Sequence, residues 1–478
     1  MKIHALLALY AAPALVCYDN SNDAYIPEMW ANESLMILDE SMVMANLVHR
    51  DFQNEVQSMG DVVNTRRPSK FLSSRKGMFD SVIAQDANSV NVQVPLNQHH
   101  YNTFVIRDEE GSKSFKDLVS IYLQPAMQAV GRGIDRSVIG QVHRFLGTNA
   151  TRVGQLGSGS SSTVRAAIID CREKLNLANV PQDEMRHLVV AAQTESDMLN
   201  TDLFVKSNEA GTSDALRRAA IGKLFGFNIY AANSVPQVAR VQCDVASGTI
   251  TNAAAAGAGG GSQACTITGY EAIVGEWATV AGNDQPVHIT ARTASTNTTA
   301  VTLSEANKFA TAGSAAITVF RACDAVGTTP AGWTKEVNVD GYNSLPPVAG
   351  RLLAHGVGAD RRVYTIIEAY PHPSLSNTYS LLLDRPLDRA ITDNDKVFPG
   401  PSGEFNLAFH KNAIALVNRP LARPMGGAGV LSTVASNGSL SMRVCMQYDS
   451  VLQGTRVTCD TLTGVALLDP AMGVQFLA

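Results

Sequence analysis

Residues 26–52 read IPEMWANESLMILDESMVMANLVHRDF. Within and around this stretch, Leu35, Leu38, Met42, Ala45 and Val48 recur at steps of three and four, the period of a helix with one apolar face. Pro27 stands where a missing N–H costs little, at the start of that helix. The pattern predicts an amphipathic helix over 26–58 with a methionine-rich face. Such a face is the ordinary composition of a helix that packs on a core, since methionine fills irregular gaps.

Working outward, residues 62–107 change character. Arg66, Arg67, Lys70, Arg75 and Lys76 place five positive charges within 66–76. Val90, Val92 and Val94 then alternate with polar residues, as do Phe104 and Ile106, before the acidic triplet Asp108-Glu109-Glu110. Alternation is strand spacing, so 62–107 predicts a long two-stranded excursion with a basic tip. It is too long for an ordinary hairpin loop and is expected to touch something outside its own domain. Aromatic residues are not interleaved with the charges, as single-stranded nucleic acid would require. An arm between subunits is the preferred reading.

Residues 114–123 make a short helical lead-in. Met127, Val130, Ile134, Val138, Val142 and Phe145 then continue at helical steps from Pro125, which predicts a helix of about six turns over 124–147. Gly131, Gly133 and Gly140 lie inside it and weaken it or admit a close neighbour. After the flexible run GQLGSGSSS (154–162), helix, strand and helix signals alternate through 163–235, with 186–192 as a buried strand. That is the signature of an α/β unit. From about residue 240 the composition shifts. There are sixteen threonines in 240–340 against seven in 100–239, and no helical period remains, so strands are expected. Strands are predicted at 287–291, 299–303, 316–320, 363–367 and 379–383, at 406–417, and over 440–444 and 461–468.

Composition excludes several classes. The chain has 478 residues, 45% of them apolar, with 17% charged and a net charge of −5. This is neither a basic nucleic-acid coat nor an acidic disordered chain. Seven cysteines without a C-x-x-C give no support to a zinc site or redox dithiol, although Cys243, Cys265 and Cys323 lie within one region. His99-His100 point to opposite faces of a strand, and no H-x-x-x-H or H-E-x-x-H occurs. Gly257–Gly261 lacks the Lys-Ser/Thr of a phosphate loop, and Asp393-Asn394-Asp395 lacks the rest of a calcium loop. No catalytic, cofactor-binding or metal-binding residue is expected. The first seventeen residues imitate a secretory signal ending at Cys17. The competing reading is an apolar arm that packs on a neighbour. No run is long enough to span a bilayer.

Three segments carry a resemblance: 26–52; AAIGKLFGFNIYAANSVP at 219–236; and GEFNLAFHKNAIALVNRPL at 403–421. Their order and spacing resemble the major capsid protein of tailed bacteriophages, with the Hong Kong phage-type fold shared with herpesviruses. The closest likeness is to podovirus coat proteins that carry an inserted β-domain. The resemblance implies an α+β chain with an N-terminal arm (1–25), peripheral-domain parts at 26–61 and 108–155 (the latter with the spine helix), and an extended loop at 62–107. It further implies an axial domain at 156–239 and 405–428, an all-β insertion at 240–404, and C-terminal peripheral strands at 429–478.

It also implies self-assembly as hexamers and pentamers into an icosahedral shell around double-stranded DNA, bound without sequence specificity. Further implications are a scaffolding protein, a portal, decoration proteins, no membrane, and assembly in the host bacterial cytoplasm before residence in the virion. Arg66, Arg67, Lys70, Arg75 and Lys76 of one copy are expected to face Asp108, Glu109 and Glu110 of another. Some related capsids cross-link through Lys and Asn. Lys70 and Lys76 lie in the loop, but no acid catalyst or partner Asn is specified and no cross-link is expected. A secreted β-rich adhesin and an encapsulin-like cargo shell are the alternatives.

Overall fold

The computed structural model describes residues 25–50, 62–66, 73–79, 81, 91–108, 122–145, 161–200, 222–232, 245–250, 264–268, 270–280, 283–295, 298–303, 316–332, 336–341, 347, 351–400, 405–424, 430–437 and 440–477. The segments 1–24, 51–61, 109–121, 201–221 and 251–263 lie outside these, and so do the helical readings made on them.

The chain opens with α1 (Tyr25–Ser41) and the single turn α2 (Met44–Leu47). Ala31, Leu35, Leu38 and Met42 are buried at the predicted spacing. The helix expected over 26–58 stops at Ser41, however. The reason is a carboxylate from elsewhere: Asp135 Oδ2 accepts from the Val43 N–H at 2.8 Å, and Oδ1 from the Ala45 N–H at 2.9 Å. The turn is thus pinned outside the helical ladder.

Strands β1 (Val62–Arg66) and β2 (Asn91–Pro95) pair antiparallel, with Val62 opposite Pro95 and Arg66 opposite Asn91. The excursion closes there. Strand β3 (Gln98–Arg107), expected to belong to it, pairs with a C-terminal strand over ten residues instead. The cause is apolar: Phe104 stacks between Trp30 and Tyr122, so β3 is held to the body.

Next comes α3 (Gln124–Ile139), followed by a tighter 3-10 segment, Gly140–Phe145. The six expected turns are therefore cut short at Gly140. A Cβ there would lie 2.7 Å from the Cβ of Asp384, and its carbonyl accepts from Thr365 Oγ1 at 2.9 Å. The glycine admits a neighbouring element, and that element redirects the helix end.

The α/β unit holds α4 (Ser161–Leu177), β4 (Arg186–Val190), α5 (Ala192–Leu199), β5 (Lys223–Leu224) and β6 (Phe227–Ala231). β4 and β6 are parallel. Alternation along β4 sends Leu188 and Val190 against α4, and Val189 into the main core.

Two closed six-stranded barrels follow. The first comprises β7 (Val245–Ile250), β8 (Ala264–Thr268), β9 (Trp277–Val280), β10 (Asn283–Ser295), β11 (Thr298–Leu303) and β12 (Ala316–Phe320). The second comprises β13 (Cys323–Ala325), β14 (Val337–Asp340), β15 (Leu352–His355), β16 (Arg362–Pro371), β17 (Tyr379–Leu383) and β18 (Lys396–Pro399). Closure removes the edges that short Thr-rich strands would otherwise expose. The two barrels differ in attachment. The first has its own core, built on Ala278, Val287, Ile289, Val301, Ile317 and Val319. The second shares one continuous core with α1 and α3, through residues such as Leu353, Tyr364, Ile366 and Leu381. Asp393-Asn394-Asp395 is a turn of this barrel, with Asn394 left-handed at φ 64°.

The barrels are tied closely. Only Arg321 and Ala322 separate β12 from β13, and the Ala322 N–H donates to buried Glu276. Arg361 donates to the Gly275 carbonyl at 2.6 Å while its guanidinium lies over Trp277 and Phe398. Arg361→Ala is expected to lower unfolding free energy by about 2 kcal/mol, the sum of one charge-assisted hydrogen bond and a cation–π contact. Arg361→Lys should recover little of it, because the planar stacking is lost. Urea denaturation checks both.

The chain returns through β19 (Phe405–His410), β20 (Ile414–Arg419), β21 (Val430–Ser436), β22 (Ser441–Asp449), β23 (Gly454–Leu467) and β24 (Gly473–Leu477). β19 and β24 join the α/β sheet in the order β24-β19-β4-β6-β5. β20 crosses into an antiparallel sheet with β23, β22, β21 and β3. Two expected boundaries move as a result. Residues 405–428 divide between two sheets at the 3-10 turn Lys411–Ala413, and the last strand is in the α/β sheet rather than with the other C-terminal strands.

Candidate assembly surfaces

The fourteen-residue strand β23 organises the surfaces that can meet another molecule. At its C-terminal half it carries the root of the β1–β2 arm. Val63, Val94 and Leu96 pack with Ala415, Val417 and Ala466 in a small separate core. Gly464 makes this possible: a Cβ there would stand 2.3 Å from the Pro95 carbonyl oxygen. Between β1 and β2 in the sequence, residues 73–79 are all exposed, Arg75 and Lys76 included. Met78 is 91% and Phe79 95% exposed.

The N-terminal end of β23 forms a hairpin with β22. Asp449 Oδ1 accepts from the Val451 and Leu452 N–H groups, and Asp449 Oδ2 accepts from Arg456 at 2.6 Å. Gln453 takes a left-handed φ of 45°, and its carbonyl accepts the Asp108 N–H. Tyr448 donates its hydroxyl to Asp108 Oδ2 at 2.8 Å. These bonds hold up an apolar point: Val451 is 89% exposed, with Leu452 and Tyr448 exposed beside it.

Of the residues expected to form an inter-subunit contact, Arg66 ends β1 opposite Asn91. Arg75 and Lys76, between β1 and β2 in the sequence, are exposed, and Asp108 lies exposed at the hairpin. Arg67, Lys70, Glu109 and Glu110 lie outside the described residues. Charge marked 66–76 and 108–110 in the sequence. It did not show Met78-Phe79 or Val451-Leu452. The available signal was an apolar pair within a turn-rich polar stretch, which is a departure from ordinary loop composition.

His99 and His100 do point to opposite faces. His99 bonds Asp460 at 3.2 Å, while His100 is half-buried and lies against Gly133. Burial, with the His99 charge a lesser cause, depresses the His100 pKa to about 4. The unfolded imidazole has its ordinary pKa near 6.5, so between these values the unfolded chain binds the extra proton. The stability contribution of neutral His100 is present above pH ~6.5 and is lost as pH falls toward ~4. In NMR of the isolated subunit, the His100 ring signal is expected to stay unchanged down to about pH 5.

Among the described residues, no group of three or more His, Cys, Asp and Glu is placed to hold a metal ion. No described helix is long and apolar enough to cross a membrane.

No protein-family model matches the chain, and no curated protein matches it. Solved structures do. A chain from Mycobacterium phage Che8 is similar at 12% identity, with 91% of this chain and 90% of that one covered and a TM-score of 0.44. A chain of the capsid of cyanophage P-SCSP1u is similar at 10% identity, covering 88% and 84%, with a TM-score of 0.40. A chain of the mature capsid of bacteriophage PhiM1 is similar at 10% identity, covering 90% and 87%, with a TM-score of 0.38. Phage capsid structures are among those this chain is similar to.

Proposed function

We propose that the chain is the major capsid protein of a tailed phage, a non-enzymatic subunit that assembles as hexamers and pentamers into an icosahedral shell around double-stranded DNA. The observation that carries this reading is the β1–β2 arm. It is rooted on the body at Gly464, and Met78 and Phe79, which lie between its two strands in the sequence, are almost fully exposed. A pair of large exposed apolar side chains suits contact with another molecule, and a shell subunit needs arms that engage neighbours. Each contact can be weak, because a closed array makes every further contact intramolecular. The net charge of −5 suits a container that must release its DNA, since a basic lining would hold phosphates tightly. Scaffolding, portal and decoration proteins complete the assembly, which takes place in the bacterial cytoplasm and yields the virion.

Sedimentation velocity of the purified chain tests the reading. Particles far larger than a hexamer are expected, dissociating as salt or denaturant weakens the contacts. A folded chain that sediments as a monomer under all assembly conditions, scaffold included, would contradict it.

A further inference from the structure

Arg361 stands at the joint between the two barrels with part of its guanidinium unanswered. The group lies over the Trp277 ring at 4.7 Å and the Phe398 ring at 5.6 Å. Gly275 lets Phe398 come in: its φ is 106°, and a Cβ there would stand 2.6 Å from the Phe398 ring. Stacked rings answer the flat face of a guanidinium, not its in-plane N–H groups. Nη1 donates to the Gly275 carbonyl. Nε and Nη2 are buried, and neither has a hydrogen-bond partner among the described residues. Those two atoms form one edge, the fork whose parallel N–H groups fit two oxygens of one anion. The indole N–H of Trp277, a residue 5% exposed, is buried and unpartnered as well. The neighbouring carboxylates are engaged elsewhere. Asp360 is exposed and pairs with Arg389 at 3.2 Å. Glu276 turns to the Tyr270 hydroxyl and the Ile273 and Ala322 N–H groups. Burial lowers the Arg361 pKa only to about 10, so its charge persists at neutral pH. His288 lies edge-on to Trp277, and burial, then the Arg361 charge, depress its pKa to about 4, so it is neutral there.

We infer that Arg361 and Trp277 bind a small oxyanion, a free phosphate or carboxylate ion, at the joint between the barrels. The Nε–Nη2 edge takes two of its oxygens, and the indole N–H on β9 is the third donor. The ligand class follows from the donors. They are three N–H groups and one full positive charge, with a bidentate edge that a spherical halide cannot match. Water would satisfy the N–H groups but not the charge, and a buried charge without a counter-ion is costly. The donors come from both barrels, Trp277 from the first and Arg361 from the second. The first barrel keeps a core of its own, so an ion gripped from both sides fixes one barrel against the other. An ion that binds the folded chain alone also raises its stability. The inference rests on the barrel joint and not on the shell reading.

Equilibrium dialysis of the full chain tests this, against radiolabelled inorganic phosphate in one arm and radiolabelled acetate in the other. Sodium chloride holds the ionic strength constant in both. Saturable binding of one ion per chain is expected in at least one arm, and the tighter arm identifies the source. Arg361→Lys keeps the charge but loses the fork, and Trp277→Phe keeps the ring but loses the N–H. Binding is expected to weaken by about tenfold or more in Arg361→Lys and by a smaller factor in Trp277→Phe. Circular dichroism of both should match the parent's. If Arg361→Lys does not fold, Trp277→Phe decides alone, since it changes no charge. No saturable binding in either arm would overturn the inference and leave the fork to water. Saturable binding that the folded variants retain at full affinity would overturn it as well.

Discussion

Asp135→Ala is expected to lower the unfolding free energy of the subunit by about 2–5 kcal/mol, because one buried and one part-buried N–H donor lose their acceptor. Asp135 lies on the buried side of α3, and its carboxylate reaches across to the turn that ends α1. Burial pushes its carboxyl above the usual range, and the backbone N–H groups of Ala45, Val43 and Met44 pull it back. The sign follows from that raised pKa. The folded state binds the proton more readily than the unfolded chain, so this group's effect on stability becomes less favourable as pH rises above ~3.8. The hydrogen bonds offset that cost, and Ala removes them while leaving Val43 and Ala45 without their acceptor. Asp135→Asn should fall between wild type and Ala. Its amide oxygen can take one N–H, but its NH₂ meets the other. Urea denaturation of the isolated subunit measures all three. Equal stability of wild type and Ala would show that the carboxylate does not hold the turn.

Gly464→Ala is the second large effect, and it is directional. The added methyl would meet backbone, the Pro95 carbonyl at 2.3 Å and the Leu96 Cα at 3.3 Å, so no side-chain rotation relieves it. About 3 kcal/mol of strain is expected, the upper part of the overpacking range. The strain falls on the junction between β23 and the arm root, where Val63, Val94 and Leu96 form a core separate from the main one. The arm should detach before the body unfolds. Hydrogen exchange should therefore rise over 62–66 and 91–95, with little change over β4 or the second barrel, and particle yield should fall. Loss of protection spread evenly through the molecule would contradict a separate arm root.

Much of this fold was legible because it rests on local period. Leu35 and Leu38 show the buried face of α1, with Met42 buried just beyond its end, and the apolar run beginning at 188 marks β4. Other features depend on long-range partners, which no local window contains. Asp135 ends α1 from ninety residues away, and Thr365 with Asp384 redirects the helix end at Gly140. The assignment of β3 to the C-terminal sheet rather than to the arm was hidden for the same reason. Its alternation is common to both readings, and Phe104 stacking on Trp30 and Tyr122 decides between them. Thr-rich alternation from residue 240 showed strands, but closure into two barrels depends on pairings such as β9 with β10 and β13 with β18. At the assembly surfaces, charge pointed to 66–76 and 108–110. The apolar tips went unseen because four scattered residues have no period.

The most direct test of the shell reading is negative-stain electron microscopy of the chain expressed in a bacterium, with and without the genes that flank its own. The account predicts closed shells tens of nanometres across in at least one of the two conditions. Soluble, folded protein that remains monomeric or forms only small oligomers in both would contradict it.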